Sequence, residues 1–184
     1  SAPQKGWSST PCAGLVMMSE RALARLEETT SDSFSADLGK WRAIMAAYEG
    51  GGHAYHATMP TDGLTAFRDT MAETRDYGFE RLRDAQWELG TKVRAALRLR
   101  GIASVAADGY GAPGVVVSYT DDPGVQNGSK FGALGVQIAA GVPLQVGEPE
   151  GFSTFRLGLF GLDKLIDVDA TVARLEAALD KAIG

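Results

Sequence analysis

"SAPQKGWSSTPCAGLVMMS" (residues 1–19) decides how the rest of the chain is read. A lysine, Lys5, is enclosed by Pro3, Gln4, Gly6 and Trp7, and a run of small and apolar residues from Cys12 to Met18 follows it. That run predicts a short buried strand ending at Ser19, whose hydroxyl is placed to cap a helix beginning "ERALARLEE". On this reading Lys5 lies at the brink of a strand. A lysine there can act as a covalent catalyst, because its amine condenses with carbonyl groups and burial or a nearby cation lowers its pKa. Taken alone, the residue reads more plainly as a surface lysine near a chain end. No initiator Met and no basic leader stand before it, so the expectation is that an earlier part of the protein has been removed or lies elsewhere.

A length of 184 residues suits one domain or two small lobes. Hydrophobic residues make up 45% and charged residues 22%, which fits a globular chain and excludes disorder and coiled coil. A net charge of -5 argues against nucleic acid as a partner, because phosphate binding needs clustered cations. Arg94, Arg98 and Arg100 are the local exception, and their place at the end of a helical pattern predicts a solvated terminus that favours the negative pole of the helix. The single cysteine, Cys12, excludes an internal disulfide and is compatible with a reducing compartment, so cytoplasm is the default location. No apolar stretch reaches about eighteen residues, so a membrane is not an expected partner. His53 and His56 lack metal-site spacing with Cys or carboxylates, and loop hydrogen bonding is expected of them; no metal is predicted.

Outward from the opening stretch, residues 29–37 are rich in Ser, Thr and Asp and read as a loop. "SADLGKWRAIMAAYE" (35–49) predicts a helix closed by Gly50, Gly51 and Gly52, and "HAYHATMPTD" (53–62) a connecting segment. Leu64, Phe67, Met71, Phe79, Leu82, Leu89, Val93 and Leu97 then keep mostly helical spacing. One uninterrupted helix of that length would run to about 60 Å, longer than a small domain is wide. It must bridge two lobes or break near Gly78. After Gly101 the texture turns β-branched and alternating: "IASVAADGYGAPGVVVSYT" (102–120), "GVQIAAGV" (135–142) and "FSTFRLGLFG" (152–161) are strand candidates, with "DDPGVQNGS" (121–129) as turn chemistry. "DVDATVARLEAALDKAIG" (167–184) is an amphipathic helix, so the tail reads as an α+β lobe.

"PQKGWSSTPCAGLVMMS" resembles a segment of the class V aminotransferases, the alanine–glyoxylate and serine–glyoxylate group, in which a Gln-Lys pair precedes a turn and a strand. The resemblance implies that Lys5 forms the internal Schiff base with pyridoxal 5'-phosphate and that Gln4 helps hold its phosphate. "YHATMP" (55–60) is similar to the family's Tyr-His-x-Thr-x-Pro element, which implies that Tyr55 and Thr58 reach the cofactor phosphate of the partner subunit in a homodimer. "FRLGLFG" (155–161) resembles the strand whose arginine grips the substrate α-carboxylate, making Arg156 that residue, and "YGFERLRD" (77–84) fits the junction helix. The implied fold is α/β, pyridoxal-phosphate fold type I: the end of the large domain (1–61), a long linking helix (62–100) and a small α+β C-terminal domain (101–184). The implied substrates are a small amino acid, alanine or serine, and a 2-oxo acid, glyoxylate or pyruvate.

The family's phosphate-binding helix N-terminus, its ring-stacking residue and its pyridine-pairing aspartate belong to an earlier half that has no counterpart in these 184 residues. The isolated chain is therefore expected to be inactive, to bind no cofactor and to hold Lys5 loosely. Two rival readings are a cysteine desulfurase or lyase on the same scaffold, disfavoured because Cys12 is the one thiol and sits in the predicted strand, and a non-catalytic assembly or binding lobe.

Overall fold

A computed structural model describes residues 1–184. Local signals set the first two helices. Helix α1 (Glu20–Glu27) starts where Ser19 accepts from the Ala22 N–H, and α2 (Leu38–Glu49) where Asp37 accepts from that of Lys40. An Arg42–Glu27 ion pair at 2.9 Å joins the two.

The predicted strand at Cys12–Met18 does not form. Leu15 exchanges two hydrogen bonds with Ser1, at 2.9 and 2.8 Å, and Met17 is 94% exposed. A strand needs a neighbour for its N–H and C=O groups, and the one sheet of the chain, built from later segments, does not extend to this run.

The long helical pattern breaks at Gly78 into α3 (Thr61–Tyr77) and α4 (Phe79–Leu99). Gly78 takes φ +103°, a conformation open to glycine and strained for other residues, so the 3.6-residue phase is interrupted there. The alternating segments form β1 (Val115–Tyr119), β2 (Ala139–Ala140) and β3 (Thr154–Gly158), antiparallel in the order β1-β3-β2. Where turns were expected after β1, two short helices stand, α5 (Pro123–Gln126) and α6 (Ser129–Gly132). Asp122 nucleates them by accepting from the Gly124 and Val125 N–H groups and pairing with Lys130. Helix α7 (Leu162–Leu165) leads to α8 (Val168–Ile183), capped by Asp167.

Strand alternation sorts the sheet into two faces. Phe155 and Leu157 of β3, with Val116 of β1, enter the core, while Arg156 and its cross-strand partners Val117 and Ala139 lie on the opposite face. The core is built from Leu89, Val93 and Leu97 of α4, the sheet's inner face, Phe131, and Leu179 of α8. Phe131 stacks on Phe155 at 6.3 Å. Gly90 lets α4 lie directly on the 113 backbone: a Cβ there would stand 2.7 Å from the Pro113 carbonyl oxygen.

Arg98 is exposed as expected, but Arg94 and Arg100 depart from the expected solvated state. Arg94 donates to the Ala112 and Val115 carbonyls at 2.8 and 3.2 Å, and its burial lowers its pKa. Arg100 holds Asp180 at 2.7 Å and Glu176 at 3.2 Å, tying the end of α4 to α8. Both serve packing, because α8 and the segment leading into β1 come from distant sequence. No helix is long and apolar enough to cross a membrane.

The first part of the chain adds little to this core. The total accessible surface is 12004 Å², against roughly 8,500 Å² for a compact folded monomer of this mass. Val16, Met17, Met45, Tyr48 and Tyr55 are among the exposed apolar and aromatic residues.

Candidate active site

Lys5 occupies a tight turn. Its N–H donates to the Ala2 carbonyl at 3.1 Å, its own carbonyl accepts from Ser8 at 2.8 Å, and Ser9 closes back on Pro3 at 2.9 Å. Pro3 is fully buried while Gln4 and Lys5 are exposed, so the turn is rooted at its base and open at its tip. Ser8 has φ +51°, rare outside glycine. The Lys5 ammonium has no carboxylate within ion-pair distance in the chain, which leaves its amine free for chemistry. A Cβ on Gly161 would lie 2.9 Å from Ser8 Oγ, so the lysine turn packs against the segment that leaves β3.

Arg156 projects from β3 and is half-buried. Its Nε donates to the Ala140 carbonyl at 2.9 Å, and the two terminal nitrogens carry no hydrogen bond or ion pair within the chain. One edge of the guanidinium is fixed and the other is free for a planar anion.

Tyr55 is 79% exposed, and its hydroxyl lies 3.3 Å from that of Thr58. The loop is pinned from behind by His56, whose Nε2 bonds the Phe34 carbonyl at 2.9 Å and whose ring packs on Phe34 and Trp41. Loop bonding is the role expected for His56, and no cluster of His, Cys, Asp and Glu can hold a metal. Cys12 packs against the start of α3, where a Cβ on Gly63 would approach its own Cβ to 2.8 Å. It is an intermediate-burial thiol on an irregular segment rather than in a strand.

The lysine turn and the arginine strand are thus linked through Gly161, whereas no hydrogen bond or ion pair joins Lys5, the Tyr55–Thr58 pair and Arg156 to one another. Two clefts lie elsewhere. One of about 640 Å³ is flanked by Tyr77, Arg81, Glu88 and Asp169, and one of about 250 Å³ by Arg94, Arg98, Ser104 and Ser118. Sequence reasoning missed the Ala140 carbonyl, which as a backbone group leaves no trace in residue type. It also missed the contacts of Trp7, although an indole two places from the lysine was in plain view.

No family model matches the chain, and no curated protein matches its sequence. Solved structures do match. The alanine–glyoxylate aminotransferase of Nostoc sp. superposes with a TM-score of 0.76 at 20% identity, over 100% of this chain and 47% of that one. Its fold is that of the fold-type I aminotransferases. The ureidoglycine–glyoxylate aminotransferase of Bacillus subtilis gives 0.70 at 19% identity, covering 100% and 46%, and a subgroup IV aspartate aminotransferase of Thermus thermophilus gives 0.74 at 20%, covering 99% and 48%. The chain spans about half the length of these aminotransferases, and its mixed helices and small antiparallel sheet match a C-terminal α/β part of the fold.

The chemistry of the available side chains fits pyridoxal phosphate on one side. An unpaired primary amine suits its carbonyl, and exposed hydroxyl and amide groups suit its phosphate.

Proposed function

We propose that this chain is the later half of a pyridoxal-phosphate-dependent aminotransferase that moves an amino group between a small amino acid, alanine or serine, and glyoxylate or pyruvate. The observation that carries the reading is Arg156: a guanidinium anchored by Nε on a sheet face with its remaining donors free. Such a fork binds a substrate carboxylate through two parallel hydrogen bonds, where an ammonium would act as a point charge. By fixing the carboxylate, Arg156 sets which Cα bond of the substrate faces the reacting group.

Lys5 would hold the cofactor covalently through its Nζ, and the same amine would take and return the substrate Cα proton. Gln4 contributes to holding the phosphate, and Tyr55 with Thr58 serves the phosphate of a partner subunit. Bound pyridoxal phosphate supplies the electron sink for charge developing at Cα. The homodimer is what the resemblance implies for Tyr55, whose side chain is exposed and open to another chain. The isolated chain is inactive on this account, because the solved aminotransferases are about twice its length.

The test is amino transfer by the polypeptide in which this chain is joined to the other half of the fold. Arg156→Ala raises KM for alanine or serine about ten- to a hundredfold, the value of a charged hydrogen-bonded pair. Transfer that is absent from the intact protein, or indifferent to this substitution, removes the assignment.

A further inference from the structure

The lysine turn is held at two places that neither its residue types nor its hydrogen bonds account for. Trp7 meets Phe67 of α3 edge-on, with ring centroids 5.7 Å apart and planes at 78°. It also meets Phe79, the first residue of α4, at 6.5 Å and 88°. Phe67 lies within α3 and Phe79 opens α4 just after Gly78, so one indole touches both helices. Edge-to-face geometry is directional, and two such contacts at once leave the ring little freedom to turn. Ser8, the next residue, stands against Gly161, where any side chain would intrude.

We propose that Trp7 is a positioning residue: wedged against Phe67 of α3 and Phe79 of α4, it fixes the turn that presents Lys5. The role rests on the reading of Lys5 as the cofactor tether. Lys5 has an exposed side chain and no polar partner to orient it, so its placement depends on the backbone beneath it. That backbone is closed by the Ser8 and Ser9 hydrogen bonds, and the indole lies directly beside them in sequence. A change in the angle between α3 and α4 would move both phenylalanines and carry the lysine turn with them. On this proposal the tip of the turn is open and its base is clamped, where the sequence led to the expectation of a loosely held Lys5.

Amide hydrogen exchange on Trp7→Ala and Trp7→Phe chains tests this. In Trp7→Ala the Ser8 and Ser9 amides exchange at least tenfold faster, while Leu89, Val93 and Leu97 keep their protection; Trp7→Phe restores slow exchange. In the polypeptide carrying both halves of the fold, borohydride trapping of pyridoxal phosphate on Lys5 falls in parallel for Trp7→Ala and recovers for Trp7→Phe. Unchanged exchange at Ser8 and Ser9 overturns the proposal. If Trp7→Ala also exposes the α4 amides, Phe79→Ala replaces it: that variant removes one of the two ring contacts and speeds the same two amides, and no change there overturns the proposal equally. Protected Ser8 and Ser9 amides in the wild-type chain, together with no trapped cofactor in the wild-type polypeptide carrying both halves of the fold, contradict the tether reading and leave the clamp standing.

Discussion

Arg156 donates its Nε–H to the Ala140 carbonyl at 2.9 Å, so β3 and β2 are joined by a side chain as well as by their ladder. This bond orients the guanidinium and leaves its outer donors unspent. It is also half-exposed, and hence of small worth to the fold.

Arg156→Lys is accordingly expected to lower stability by about 1 kcal/mol or less, the net value of a single hydrogen bond. Urea unfolding of the chain measures it. A loss well above that would mark Arg156 as a structural residue with no donors to spare for a substrate.

Gly90→Ala opposes two effects. Alanine favours the helix by about 1 kcal/mol over glycine. The new Cβ would, however, meet the Pro113 carbonyl oxygen at 2.7 Å and its Cα at 2.9 Å, and backbone cannot step aside as a flexible side chain can. Overpacking of this kind costs about 1–3 kcal/mol, so the substitution destabilises. A raised urea midpoint would contradict the close approach of α4 to this segment.

Ser118 is 1% exposed, and its Oγ has no hydrogen-bond partner. Leaving such a hydroxyl buried is costly, and removing it is not. Ser118→Ala is expected to raise stability by about 1 kcal/mol, read as an upward shift of the thermal midpoint. A fall would show that the hydroxyl has a partner in solution.

Asp180 has its pKa lowered, chiefly by the hydrogen bond from Arg100 and further by that cation's charge, with desolvation acting the other way. A carboxylate depressed in the folded state stabilises it above the unfolded pKa, near 3.8, and loses that contribution as pH falls through the lower folded value. Thermal midpoints measured downward from pH 7 should therefore fall more steeply below about pH 4 in the wild type than in Asp180→Asn. Parallel curves would mean that the Arg100–Asp180 pair is not formed in solution.

What the sequence disclosed follows the range of the forces involved. Ser19 caps a helix through a bond to the residue three places on, and that start was legible for that reason; Asp37 and Asp167 cap in the same way, but the first had been read as loop and the second as part of the helix it precedes. Gly78 was legible as a break because its residue type alone permits the positive φ found there. The Cys12–Met18 run misled because apolar character does not make a strand without a neighbour. Arg94 and Arg100 misled because their partners, Ala112, Val115, Glu176 and Asp180, are distant in sequence. For the site, the types of Lys5, Tyr55, Thr58 and Arg156 were visible through the resemblance. The restraints on them, Trp7 between two phenylalanines and the Ala140 carbonyl, depend on tertiary packing and were not.

The central claim is that the Lys5 amine carries the cofactor. Borohydride reduction of the polypeptide containing both halves of the fold, after incubation with pyridoxal phosphate and followed by peptide mapping, tests it most directly. The account predicts the reduced pyridoxyl group on the peptide containing Lys5, with visible absorption lost in Lys5→Ala. A folded protein that stays colourless, or that is labelled only on another lysine, contradicts it.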